Sequence, residues 1–122
     1  MWRIKRAVLL DLLEAARNAY PDEFFALLGG NKKEKIIDEI IVVPAEYGRT
    51  STLIKTWLVP FDSRIAGSAH SHPGNYNFPS SADISSFAQF GELHIIMAYP
   101  YNLNSTRAFN VKGEQEKIEV VE

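Results

Sequence analysis

The chain has 122 residues, 46% hydrophobic and 23% charged, and its 13 basic and 15 acidic side chains leave a formal charge of -2. That is the balance of a single compact domain spanning residues 1–122, one that buries roughly two thirds of the surface its unfolded chain exposes, and it lacks the basic footprint of a nucleic-acid binder. The absence of cysteine excludes a disulfide scaffold, a thiolate zinc finger, an iron–sulfur centre and a cysteine nucleophile.

The first twenty residues mix Arg3, Lys5, Arg6, Asp11, Glu14 and Arg17 with apolar side chains, so no leader-like apolar stretch forms. No apolar run approaches the roughly 18 residues that span a bilayer. The expectation is a cytoplasmic protein with neither membrane nor nucleic acid as partner. Leu9, Leu13, Ala16 and Tyr20 recur at helical spacing, predicting an amphipathic helix stopped by Pro21. The apolar run from Phe24 to Leu28 meets Gly29-Gly30-Asn31-Lys32-Lys33, a turn signal, and a β-branched run from Ile36 to Val43 follows; together these read as a β-hairpin.

The polar stretch from Pro44 to Ser51 reads as a loop, and strands are expected over about Thr52 to Val59 and Ile65 to Ser71. Two prolines, a glycine and two asparagines between Pro73 and Pro79 exclude regular structure there. Ser80, Ser81, Ala82 and Asp83 open a short helix to about Phe90, closed by Gly91. Further strands are expected at Leu93 to Ala98, Thr106 to Val111 and Lys117 to Val121. The assembly is an α/β or α+β three-layer domain, a mixed sheet of six or seven strands flanked by two helices.

The chemistry concentrates at His70-Ser71-His72-Pro73. Side chains alternate along a strand, so His70 and His72 share one face and can share one metal ion. The next loop returns the chain to Asp83, a third ligand in the first turn of a helix. Three protein ligands with an open position make a catalytic zinc site, since structural sites close all four. Each residue also has a plain reading: the histidines as a polar strand face, and Ser80-x-x-Asp83 as a capping box. A metal hydrolase needs a base for its water, and Glu23, beside the apolar run that opens at Phe24, is the candidate; its plain reading is a solvated carboxylate next to Asp22.

Glu23, His70-Ser71-His72, seven residues, Ser80, two residues and Asp83 resemble the motif E-xn-H-[ST]-H-x7-S-x2-D of the JAMM/MPN+ metalloprotease family. Pro21-Asp22-Glu23-Phe24 with Leu27-Leu28-Gly29-Gly30, the segment Gly67 to Pro73, and His94-Ile95-Ile96 with Tyr99-Pro100 are similar to small archaeal-type members. The resemblance covers essentially the whole chain. It implies the MPN fold, a curved three-layer domain of cytidine-deaminase type, with one zinc ion held by His70, His72 and Asp83. Glu23 would be the base that activates water and passes its proton to the leaving amine, and Ser80 an oxyanion stabiliser. Ser71 and Pro73 would give the motif its shape. The implied reaction is hydrolysis after the C-terminal Gly-Gly of a ubiquitin-like modifier or sulfur-carrier protein, at a lysine conjugate or a linear fusion. The alternatives are a non-catalytic MPN scaffold and a zinc hydrolase of a small substrate.

Residues 44–51, the strand from Thr52 to Val59, and Tyr76, Asn77 and Phe78 are candidates for the walls of the substrate groove, although aromatics in such a loop also serve as turn filler. His94 reads as a structural histidine near the core, Trp2 and Trp57 as packing residues, and Glu114, Glu116, Glu119 and Glu122 as a solvated strand face.

Overall fold

A computed structural model of the chain describes residues 1–42, 45–47, 52–54 and 63–122. Its elements run β1 (Trp2–Lys5), α1 (Arg6–Ala19), β2 (Phe25–Asn31), β3 (Ile36–Ile41), β4 (Ala45–Tyr47), β5 (Thr52–Ile54), β6 (Ile65–His72), α2 (Ser81–Phe87), β7 (Leu93–Ala98), β8 (Thr106–Phe109), β9 (Gln115–Glu116) and β10 (Ile118–Val121). Eight strands form one mixed sheet in the order β10-β1-β3-β2-β6-β7-β8-β9, and β4 pairs with β5 separately. The parallel pairs are β1–β10, β1–β3 and β6–β7. The β6–β7 pair needs a crossover, and α2 lies in that connection.

Strand alternation sorts the core into two faces. Ala26 and Leu28 of β2 and Leu93, Ile95 and Met97 of β7 pack with Leu9, Leu12, Leu13 and Ala16 of α1. The alternate residues Phe25 and Leu27 pack with Phe90, and Ile96 packs with Phe87 of α2 and with Phe109. The two helices thus cover opposite faces, the expected three-layer α+β arrangement. Leu12 is wholly buried, and a buried leucine contributes about 1.5–3 kcal/mol relative to an exposed one.

The structure departs from the sequence expectations at several points. Trp2–Lys5 forms a strand that was not anticipated; it is too short to show a period, and it is held by parallel pairing with β3 and with β10 from the far end of the chain. Trp2 is buried as expected. Helix α1 stops at Ala19, and Tyr20, expected on its buried stripe, is extended and exposed ahead of a cis Tyr20–Pro21 bond. The hairpin exists, but Gly29 and Gly30 lie inside β2 and the turn falls at residues 32–35. A Cβ on Gly30 would sit 1.9 Å from the carbonyl oxygen of Ile36, so this glycine permits a bulged, close strand approach and does not make a turn.

The stretch read as a loop from Pro44 to Ser51 contains β4, and of the strand expected from Thr52 to Val59 the portion described is Thr52–Ile54. Its other residues, Trp57 among them, lie outside the described residues. Helix α2 ends at Phe87, earlier than Phe90, and Gly91 takes φ +117° where a Cβ would meet the backbone of Ala66 at 2.4 Å. Glu114, Glu119 and Glu122 are exposed and Glu116 is half-buried. Among the described residues no helix is long and apolar enough to cross a membrane.

Candidate metal centre

His70 and His72 point from the end of β6 to the face that carries α2, and the irregular segment 73–79 brings the chain round to Ser80, the N-cap of that helix. The Ser80 hydroxyl accepts from the Asp83 N–H at 3.1 Å, and Asp83 Oδ2 accepts from the Ser80 N–H at 2.9 Å. This capping box fixes the carboxylate. The same Oδ2 stands 3.4 Å from His70 Nε2 and 3.6 Å from His72 Nε2, and the two ring nitrogens are 3.2 Å apart. Capping and ligand geometry are therefore served by one carboxylate, and the two readings open in the sequence do not compete.

Ligand atoms placed about 2.0–2.1 Å from a tetrahedral zinc stand about 3.3–3.4 Å from one another. The observed triangle matches that spacing, so these residues fit such an ion without rearrangement. His70, His72 and Asp83 form the one group of three or more metal-capable side chains among the described residues. One carboxylate and two imidazoles match the hard-to-borderline preference of zinc and related divalent ions.

The surrounding contacts orient these ligands. The Tyr76 carbonyl lies 2.7 Å from His72 Nδ1 and can only accept, so Nδ1 carries the proton and Nε2 faces Asp83. The buried Tyr101 donates its hydroxyl to the His72 carbonyl at 2.9 Å. Tyr101 itself holds φ +63°, and its carbonyl accepts from Arg17 of α1 at 2.6 Å.

Electrostatics favour a cation at the centre. Burial works against charge on His72, but the hydrogen bond to Asp83, the Tyr76 carbonyl and the charges of Asp83 and Glu23 outweigh it and raise its pKa above the ordinary value. Burial likewise opposes the Asp83 carboxylate, yet hydrogen bonds from His70 and His72, the His70 charge and the Ser80 N–H hold it far below the carboxylate range. The Asp83 carboxylate and the Glu23 charge thus favour positive charge where the three side chains converge.

Glu23 is half-buried just before β2 and is not one of the three clustered residues. Its negative charge acts on His72 and on Tyr101, whose pKa is raised by burial first and then by Tyr20, Glu23 and Tyr99. Ser71, between the two histidines, faces away from them and accepts from the Phe24 N–H at 2.8 Å.

The proposed groove residues divide. Tyr76 is exposed, with its ring parallel to His72 at 6.4 Å. Phe78 lies under the Arg107 guanidinium at 4.8 Å. Asn77 instead tethers the loop, donating to the Ser105 carbonyl and accepting from Arg107. His94 is structural: wholly buried, stacked 4.0 Å from Phe87, with Nε2 donating to the Gly91 carbonyl and Nδ1 accepting from Ser68. Burial lowers its pKa to about 4, with the Gly91 hydrogen bond opposing and the His70 charge adding to the shift.

Two supporting groups had no role from the sequence, the Tyr76 carbonyl and the Tyr101 hydroxyl. Ser71 was expected to shape the His-x-His motif, and its hydroxyl does so through the Phe24 N–H.

Residues 5–112 match the pattern of prokaryotic homologues of the JAB domain. A protein of Haloferax volcanii described as a probable metalloprotease is 30% identical over 119 residues, covering 90% of this chain and 73% of that protein. A JAB1/MPN domain protein from Archaeoglobus fulgidus superposes with a TM-score of 0.78 at 42% identity, over 98% of this chain and 99% of that one. A structure described as a JAMM metalloprotease-like zinc site in the proteasome and signalosome gives 0.77 at 40% identity, over 100% and 99% of the two chains.

Proposed function

The chain belongs to the prokaryotic homologues of the JAB domain, a JAMM-type metalloprotease family, and from that premise we propose that it is a zinc-dependent isopeptidase or peptidase. It hydrolyses the bond after the C-terminal Gly-Gly of a small ubiquitin-like modifier or sulfur-carrier protein. The observation that carries the metal chemistry is the triangle of His70 Nε2, His72 Nε2 and Asp83 Oδ2 with sides of 3.2, 3.4 and 3.6 Å, in a chain that also places a carboxylate, Glu23, within electrostatic reach of His72.

When bound, zinc would supply a Lewis acid for the scissile carbonyl and would lower the pKa of a water to about 7. His70 and His72 would hold it through their Nε2 atoms and Asp83 through one oxygen, while the capping box keeps that carboxylate in place. Glu23 takes the proton of the attacking water and delivers it to the departing amine, the paired base and acid task of a single carboxylate. The Ser80 hydroxyl accepts from Asp83 and keeps its own proton to donate toward the oxyanion.

A diglycine tail suits such a site. Without Cβ atoms it passes as an extended strand through a narrow groove and pairs by its main chain with a sheet edge. Tyr76 and Phe78, exposed on the loop that leaves His72, form one wall of the approach. The reading is tested by zinc analysis of the purified protein together with cleavage of a ubiquitin-like conjugate and of a linear diglycine fusion. A Glu23→Gln protein should keep its zinc and lose turnover, and equal activity in that variant removes the proposed base.

A further inference from the structure

A regular antiparallel rung exchanges two N–H···O=C bonds between facing residues. The β2–β6 register pairs Phe25 with His70 and carries Phe24 to Ser71. Ser71 N–H donates to the Phe24 carbonyl at 2.9 Å in the ordinary way, but the return bond from Phe24 N–H goes to the Ser71 hydroxyl, at 2.8 Å. The side chain of Ser71 therefore replaces a backbone carbonyl in the last rung of the sheet. Strand β2 begins at Phe25, so this side-chain bond, together with the Ser71 N–H bond to the Phe24 carbonyl, ties the residue next to Glu23 to β6.

Ser71 is fully buried between the two histidines and turned to the other face of the sheet. Two bonds to Phe24 on one side and the two ligand side chains on the other make it a rigid link between the position of Glu23 and the positions of His70 and His72. We propose that Ser71 is the positioning residue of this site: its hydroxyl, acting through the Phe24 N–H, sets where the Glu23 carboxylate stands relative to the metal ligands. This rests on the reading of Glu23 as the base.

Small displacements of a reacting group cost on the order of 100-fold in rate when geometry is otherwise kept. In Ser71→Ala the Phe24 amide loses its acceptor while every proposed ligand remains. The zinc-loaded variant should keep one zinc per chain and a KM within about twofold of the parent, and its kcat should fall by at least about tenfold. Ser71→Thr, which retains the hydroxyl, should restore most of that loss.

A second measurement needs neither metal nor substrate. In the metal-free protein the Phe24 amide should exchange with solvent at least about tenfold faster in Ser71→Ala than in the parent, with the Leu28 and Ile95 amides of the core strands unchanged. The proposal is overturned by unchanged Phe24 exchange, by acceleration spread equally over Leu28 and Ile95, by zinc loss from Ser71→Ala, or by parental kcat in that variant. Failure of the underlying reading looks different: Glu23→Gln would then turn over like the parent whatever Ser71 does.

Discussion

Acidification is expected to weaken the fold through His94, and the size of the effect follows from its surroundings. The ring is wholly buried, flat against Phe87, with both nitrogens committed to neutral-state hydrogen bonds. Its pKa is lowered from 6.5 to about 4. As pH falls through the ordinary value the unfolded chain takes up the proton first, and the folded chain follows only near the depressed value. Stability is therefore full above the upper value, declines between the two, and levels off below the lower one. At 1.36 kcal/mol per unit the decline amounts to about 3 kcal/mol. His94→Phe keeps a ring against Phe87 but has nothing to protonate. It strands the Ser68 hydroxyl and the Gly91 carbonyl at a cost of about 1–3 kcal/mol each, independent of pH. Urea denaturation of both metal-free proteins between about pH 7 and about pH 4 measures the difference. The stability gap between parent and variant should narrow by about 3 kcal/mol across that range. A gap that stays constant refutes a neutral, buried His94.

Other outcomes concern the site. Glu23→Gln in the zinc-loaded protein should lower kcat by about 10²–10⁴-fold with metal content unchanged by elemental analysis, whereas His72→Ala should lose both metal and activity. Ser80→Ala should lower kcat by about 10²–10³-fold and, by removing the α2 cap, cost about 1 kcal/mol in a denaturation experiment. His72 has a raised pKa in the metal-free protein, so zinc must displace a proton that is held more tightly than on an ordinary histidine. Calorimetry in buffers of different ionisation enthalpy should show proton release on binding near neutral pH, and apparent affinity should fall as pH drops.

The clustering of His70, His72 and Asp83 was legible because its determinants are local. Alternation puts His70 and His72 on one face, and a capping pattern puts Asp83 in the first turn of α2, all within fourteen consecutive residues. The three-layer arrangement was legible for a similar reason, since the α1 stripe and the largely apolar strands β2 and β7 mark buried faces. What escaped depends on contacts distant in the chain. Trp2–Lys5 is a strand because β10 and β3 flank it, and no local period reports that. Gly29 and Gly30 carry the composition of a turn, yet the approach of β3 makes the second of them a bulge. Tyr101 reaches the His72 carbonyl from a positive-φ position after β7, a geometry that its residue type does not announce.

The most direct test of the central claim is the rate at which protein of known zinc content cleaves a lysine conjugate of a Gly-Gly-terminated ubiquitin-like protein, before chelation, after it, and after zinc is restored. Activity should track zinc content, vanish on removal, return on reloading, and be absent from zinc-loaded Glu23→Gln. Cleavage that survives complete zinc removal, or a fully loaded protein that cleaves neither the conjugate nor a linear diglycine fusion, contradicts the account.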